Sequence, residues 1–110
     1  MKIIIETHGI RTRGKVIRLI GEKMEQLSDL DDYFIEGRIS LKRDLTGGEN
    51  SKICSVRITL AGTDLIAIKH ARTFPAAITK AYAAIRRQIS DWKSQLHKLQ
   101  HGPHFELTGS

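Results

Sequence analysis

Cysteine, aromatic residues and long apolar runs are scarce in this sequence. Its one cysteine, Cys54, has no partner for an intramolecular disulfide, so the stapled scaffold of a small secreted domain is excluded and a reducing, cytoplasmic setting is expected. The opening stretch MKIIIETHG is too short an apolar run for a secretory h-region, and no stretch is long enough to cross a bilayer, so no membrane partner is expected. Phe, Trp and Tyr make up 5% of the chain, which leaves no row of stacking platforms of the kind that single-strand binders display on their sheets. Acid is also unevenly supplied: between Pro75 and His104 the only carboxylate is Asp91.

Base, in contrast, is plentiful. Eighteen Lys and Arg stand against twelve Asp and Glu, a formal net charge of +6 with a pI near 9.8, which favours an anionic partner such as nucleic acid. With 110 residues, the chain is long enough for one domain that buries about 60 to 70% of its unfolded surface without metals or disulfides.

The apolar pattern alternates between two periods. Residues 2 to 10, KIIIETHGI, are β-branched and short and suit a first strand. Thr12 is placed to cap a helix running from Arg13 to about Tyr33, in which Val16, Ile17, Ile20, Met24 and Leu27 recur at helical spacing and Gly21 weakens the interior. In residues 35 to 44 Ile39 and Leu41 alternate with Arg38, Ser40 and Lys42, and in KICSVRITLAG Cys54, Val56, Ile58 and Leu60 alternate with Ser55, Arg57 and Thr59. LTGGENS between them is a hairpin loop, and Ala61 with Gly62 makes a tight turn into TDLIAIKHAR. In that fourth strand Leu65 and Ala67 compete with Ile66 and Ile68 for the inner face, so its facing stays open. Thr73, ahead of Phe74 and Pro75, starts a long helix whose stripe is Ile78, Tyr82, Ile85, Ile89, Trp92, Leu96 and Leu99. The order β-α-β-β-β-α predicts an α+β fold: a four-stranded sheet, its last three strands an antiparallel meander, with two helices packed on one face and the other face wet. The domain is expected to occupy residues 1–100, with 101–110, HGPHFELTGS, a flexible tail.

Both helices carry charge in excess of what solubility needs. In the second, Lys80, Arg87 and Lys98 lie opposite the apolar stripe and Arg86, Lys93 and His97 share a flank. In the first, Arg11, Arg13, Lys15 and Arg18 gather at the N-terminal end and Asp29, Asp31 and Asp32 at the C-terminal end, against the macrodipole. An ordinary solvated or salt-screened surface is the bland alternative. The functional alternative is a bound anion, and an extended phosphate backbone is the obvious one.

The element order, GEKMEQL in the first helix and TFPAAITKAYAAIRRQ at the start of the second together resemble the ribosome hibernation-promoting factor family, also called ribosome-associated inhibitor A or sigma-54 modulation protein. The likeness spans residues 2 to about 99 and rests on order and spacing more than on any single motif. It implies a double-stranded-RNA-binding-like domain that sits in the messenger and transfer RNA channel of the small ribosomal subunit, contacts ribosomal RNA through basic helix residues and silences idle ribosomes in stationary phase or stress, without catalysis. Position by position, Lys23 corresponds to the lysine of the family's EKL segment, Arg87 to the arginine of its RQL segment, and Lys93 to a basic position about two turns on. Ser90 and Asp91 stand where members commonly carry adjacent lysines, and Gly14 where a proline is common. Arg86, Lys80, Lys98 and the cluster Arg11, Arg13, Lys15 and Arg18 are then expected to carry contacts in their place. Ending soon after the second helix, the chain resembles the short forms, which lack the second domain of long members.

Other chemistry finds little support. Cys54 alternates with core residues and is read as packing. His97, His101 and His104 have spacing for a metal but no thiol joins them, and His8 and His70 are read as surface or strand residues. TGGEN lacks the phosphate-cradling P-loop pattern. The expectation is therefore no enzyme, no cofactor, no metal and no small-molecule substrate, with the small ribosomal subunit and ribosomal RNA as partners and a monomer away from the ribosome. Two rivals remain: a protein-interaction adaptor or transcription-factor modulator that binds an acidic partner, and a free-standing double-stranded-RNA binder.

Overall fold

The computed structural model describes residues 2–11, 13–27, 33–46 and 48–101, with side chains as far as Gln95. Strand β1 is Lys2–Thr7, helix α1 Gly14–Glu25, β2 Phe34–Arg43, β3 Lys52–Leu60, β4 Thr63–Ala71 and helix α2 Phe74–His101. The sheet order is β1-β2-β3-β4, with β1 parallel to β2 and the other two pairings antiparallel. That is the α+β arrangement the sequence predicts. The crossover through α1 makes the first pairing parallel, and short turns make the rest a meander.

Register decides which residues form the core. Leu41 lies opposite Cys54, Ile39 opposite Val56 and Gly37 opposite Ile58, and all are buried. Across the next pairing Val56 meets Ala67, which places Leu65, Ala67, Lys69 and Ala71 on the helix side and Ile66 and Ile68 on the open side, 52% and 56% exposed. Small residues serve this geometry: Ala67 and Ala71 share the core with Ala77 and Ala81 of α2, so helix and strand approach where an isoleucine would hold them apart. The α2 stripe Ile78, Tyr82, Ile85 and Ile89 is buried against the sheet, and Ile20 and Met24 bring α1 into the same cluster. Cys54 is fully buried, and burial pushes its thiol up to about 12, well away from a reactive thiolate.

Local signals account for the ends of the elements. At α2 the Thr73 hydroxyl accepts the Ala76 N–H at 3.2 Å, an N-cap, with Pro75 in the first turn where its missing N–H costs nothing. Gly62, at φ +87°, makes the turn between β3 and β4. In the loop after β2 the Asp44 carboxylate accepts both the N–H and the hydroxyl of Thr46, and these bonds hold it below the ordinary carboxylate range; a 3-10 turn, Gly48–Asn50, follows.

Helix α1 differs from expectation at both ends. Its N-cap is Arg13, with no side-chain cap bond, while Thr12 lies outside the described residues. It ends at Glu25 and not near Tyr33. Leu27 extends the helical spacing and is buried, but it sits beyond the C-cap Gln26, so apolar periodicity outlasts the helix there. The three aspartates expected at the C-terminal end of α1 therefore fall past it; Asp29, Asp31 and Asp32 lie outside the described residues, and the last helical turn carries Glu22 and Glu25 beside Lys23. The reversal of the dipole charges therefore rests on the cations at the N-terminal end and on these two glutamates at the other.

Gly21 lies in the exposed interior of α1, and a Cβ built there meets nothing within 4 Å. Gly21→Ala is expected to stabilise the domain by about 0.5 to 1 kcal/mol, read as a higher denaturant midpoint at unchanged slope.

Candidate nucleic-acid interface

Four cations on strands and loops have carboxylate partners: Lys2 reaches Glu36 at 3.8 Å, Arg38 pairs with Glu6 and with Glu36, Arg57 holds Asp64 at 2.5 Å, and Arg72 holds Glu49 at 2.7 Å, whereas Lys42, Arg43, Lys52 and Lys69 on the strands have none among the described residues. The Arg57 bond depresses the Asp64 carboxyl and raises the guanidinium in turn. On the helix side Arg11, Arg13, Lys15, Arg18, Lys23, Lys80, Arg86, Arg87 and Lys93 have no carboxylate within ion-pair distance among the described residues. On the wet sheet face, expected to carry Arg38, Lys42 and Arg57, the two arginines are compensated and Lys42 is not, so the larger share of the uncompensated charge lies on and about the helices.

Tyr82 organises the centre of that side. Its ring belongs to the α2 stripe, its hydroxyl donates to Gln26 Oε1 at 2.9 Å, and the Lys23 ammonium stands 5.0 Å from its centroid. Tyr82 also lines, with Thr79, Ala83, Arg86, Arg87 and Ser90, a shallow groove of about 410 Å³. Lys23 from α1 and Arg86 and Arg87 from α2 are thus brought around one ring, although 63 positions separate the first two in sequence. Arg87 faces a second concavity as well, of about 240 Å³, shared with Lys80, Ala83, Ala84 and Lys69. Lys80 Nζ donates to the His70 carbonyl at 3.4 Å, which ties that cation loosely to the end of β4.

The other expected contacts take separate places. Arg11, Arg13, Lys15 and Arg18 are exposed about the start of α1, with no acid in its first turn, at distances along the helix from Lys23 that run from roughly 15 Å at Arg13 to roughly 7 Å at Arg18. Lys93 is exposed two turns beyond Arg86, next to the partly buried Trp92, whose ring meets Tyr33 edge-on at 5.2 Å. The side chain of Lys98 lies outside the described residues, as do those of His97, His101 and His104. Ser90 and Asp91 border the first groove, so the single acid of α2 sits at the rim of its basic face. His8 is exposed and bonds Ser40 Oγ at 2.8 Å, and His70 is exposed on β4. Lys69 was missed in the sequence. Its side became legible only once the register placed it opposite Cys54, on the helix side with Lys80 and Arg87.

Comparison with curated protein sequences finds no match. Among solved structures the chain is similar to a ribosomal subunit interface protein from Coxiella burnetii, at 16% identity and a TM-score of 0.74, over 86% of this chain and 99% of that one. It is similar also to the N-terminal domain of Thermus thermophilus Protein Y, at 15% identity and a TM-score of 0.70, over 84% of this chain and 99% of that one. At such identities these likenesses establish the shared fold. The sequence pattern of one family, described as sigma 54 modulation protein / S30EA ribosomal protein, matches residues 3–97. Spanning the first helix, most of the second and all but the first residue of the sheet, that match places the chain in the sigma 54 modulation protein / S30EA ribosomal protein family.

Proposed function

We propose that this protein is a ribosome hibernation factor: it docks on the small ribosomal subunit in the messenger and transfer RNA channel, through ribosomal RNA phosphates held by its helix cations, and so keeps translation off. Membership of a ribosome-associated family supports the coarse part of this reading, and the names of the two similar structures, a ribosomal subunit interface protein and Protein Y, agree with it. The observation that carries the finer part is the segregation of charge. Arg11, Arg13, Lys15, Arg18, Lys23, Lys80, Arg86, Arg87 and Lys93 stand without carboxylates on the helix side while Arg38 and Arg57 on the open sheet face are neutralised. An exposed pair contributes little stability, so a fold that pairs Arg38 and Arg57 on its open sheet face and leaves the helix cations unpaired keeps the latter available to an anion at little thermodynamic cost. The contacts would be to phosphates, which position a protein without reading sequence, in keeping with few aromatic platforms.

Co-sedimentation with separated small and large subunits across a salt series tests the reading. Small-subunit binding should weaken with a log–log slope of about 0.7 to 0.9 per phosphate contact, so several contacts give a steep decline. Absence of binding to either subunit at low salt would overturn it and turn attention to an acidic protein partner. Equal affinity for a naked RNA duplex would favour a free-standing duplex binder.

A further inference from the structure

We infer that β4 is a self-complementary edge on which a second copy of this chain docks, forming a two-fold dimer with a continuous eight-stranded sheet. β4 is the last strand of the sheet and has no neighbour on its far side among the described residues. It is nine residues long, and its open face carries Ile66 and Ile68, both more than half exposed. A long edge with adjacent apolar side chains is a template for another strand.

Hydrogen bonds from α2 reveal which backbone groups point outward. Gln88 Nε2 donates to the Ile66 carbonyl at 2.8 Å, and Lys80 Nζ reaches the His70 carbonyl at 3.4 Å. Backbone direction alternates along a strand, so the even-numbered residues Asp64, Ile66, Ile68 and His70 present their N–H and C=O groups to the edge. The two donors fit this edge by spacing: eight helical residues from Lys80 to Gln88 cover about 12 Å, and four strand residues from Ile66 to His70 about 13 Å. Both bonds come from side chains that can rotate away, and a partner strand would replace them with ladder bonds.

The sequence of the edge selects one register. An antiparallel pairing centred on Ala67 sets Ile66 of each copy opposite Ile68 of the other, and Asp64 opposite His70, in hydrogen-bonded pairs on the open face. Four isoleucines then meet across the axis, with an acid facing an imidazole on either side. Asp64 already binds Arg57 through Oδ2 and retains acceptor capacity for this second partner. Shifting the centre to Ile66 keeps one Ile66–Ile66 pair but sets Asp64 against Ile68, and shifting it to Ile68 keeps one Ile68–Ile68 pair but sets Ile66 against His70, so each retains one isoleucine pair in place of two and loses the acid–imidazole match. The opposite edge is a poorer candidate: β1 has six residues, and its Lys2 and Glu6 are occupied by Glu36 and Arg38.

One force opposes the dimer. The two-fold axis brings the α2 helices onto the same side of the joined sheet, where Lys69, Lys80 and Arg87 of both copies line the cleft between them. This repulsion is screened by salt, so a dilute chain at low salt stays monomeric and self-association strengthens as salt rises. RNA binding by the same helices has the opposite salt dependence, which keeps this inference separable from the proposed function.

Sedimentation velocity on the purified chain, from about 1 µM to about 1 mM and at low and high salt, reads the dimer directly. The wild type should pass reversibly from monomer to dimer, at lower concentration in high salt. Ile68→Lys, which acts twice per symmetric dimer, should raise the dissociation constant at least about tenfold while circular dichroism stays unchanged. Gln88→Ala should lower it by removing the competing donor. Mixed Ile66→Cys and Ile68→Cys chains should form a disulfide-linked heterodimer under mild oxidation, with Cys54 buried and silent. A chain that stays monomeric throughout, with or without Gln88→Ala, overturns the inference, as does a dimer indifferent to Ile68→Lys.

Discussion

Reversing Arg87 and Lys93 together, as Arg87→Glu with Lys93→Glu, is expected to reduce small-subunit affinity by about 100-fold or more at low salt and to flatten the salt slope by about 2. Both side chains are exposed and neither has a carboxylate partner among the described residues, so the substitutions break nothing internal. Arg87 is the more telling of the two, since it faces both the Tyr82 groove and the concavity with Lys69 and Lys80. A control comes from the other side of the sheet, compared per unit of charge because the double reversal changes the net charge by about four and Arg57→Ala by about one. Arg57→Ala removes a charge from the same chain, but one already held by Asp64, and should leave affinity within about twofold. The comparison matters because a chain of net charge +6 binds any polyanion to some degree. Equal losses per unit of charge from the two faces would mean diffuse attraction and refute a helix-side interface. Loss from the helix face alone would establish it, and the size of the slope change would count the phosphates involved.

Much of the fold was legible because local and global signals agree along most of the chain. Period-two alternation marked β2 and β3, and the Thr73-Phe74-Pro75 start and the unbroken stripe from Ile78 to Trp92 marked α2. The rest depended on pairing between residues distant in sequence. Nothing in TDLIAIKHA says whether Ile66 and Ile68 face the helices; that follows from Val56 opposite Ala67 and from the close approach of α2. With the facing undecided, Lys69 could not be assigned to the basic side. The neutralisation of Arg38 was equally hidden, since its partner Glu6 is brought beside it only by the parallel pairing of β1 and β2. At α1 the sequence misled, because Leu27 keeps helical spacing after the helix has ended. The basic residues themselves were readable one by one. Which of them remain without partners was not, and that difference carries the functional reading.

Ile85→Ala is expected to produce the largest loss of stability of any substitution considered. Ile85 is fully buried in the middle of the α2 stripe, in the cluster that joins α2 to Leu41, Val56 and Ile58 of the sheet. Removing three carbons there forfeits transfer free energy and leaves a cavity, a cost of about 2 to 5 kcal/mol. A domain of this size holds roughly 5 to 15 kcal/mol in all. The midpoint of thermal unfolding, followed by circular dichroism, should therefore fall by about 10 to 20 °C. Ile85→Leu, which keeps the volume, should cost less than about 1.5 kcal/mol. The functional consequence separates scaffold from contact. Ile85 is followed in sequence by Arg86 and Arg87 but points into the core, opposite Arg87 and about 100° around the helix from Arg86, so at a temperature where the variant stays folded its ribosome affinity should remain close to wild type. Lost affinity with folding intact would mean that the placement of α2, and not the charges alone, limits docking; retained affinity would leave the cations as the contact and the buried stripe as the means by which the sheet holds them in place.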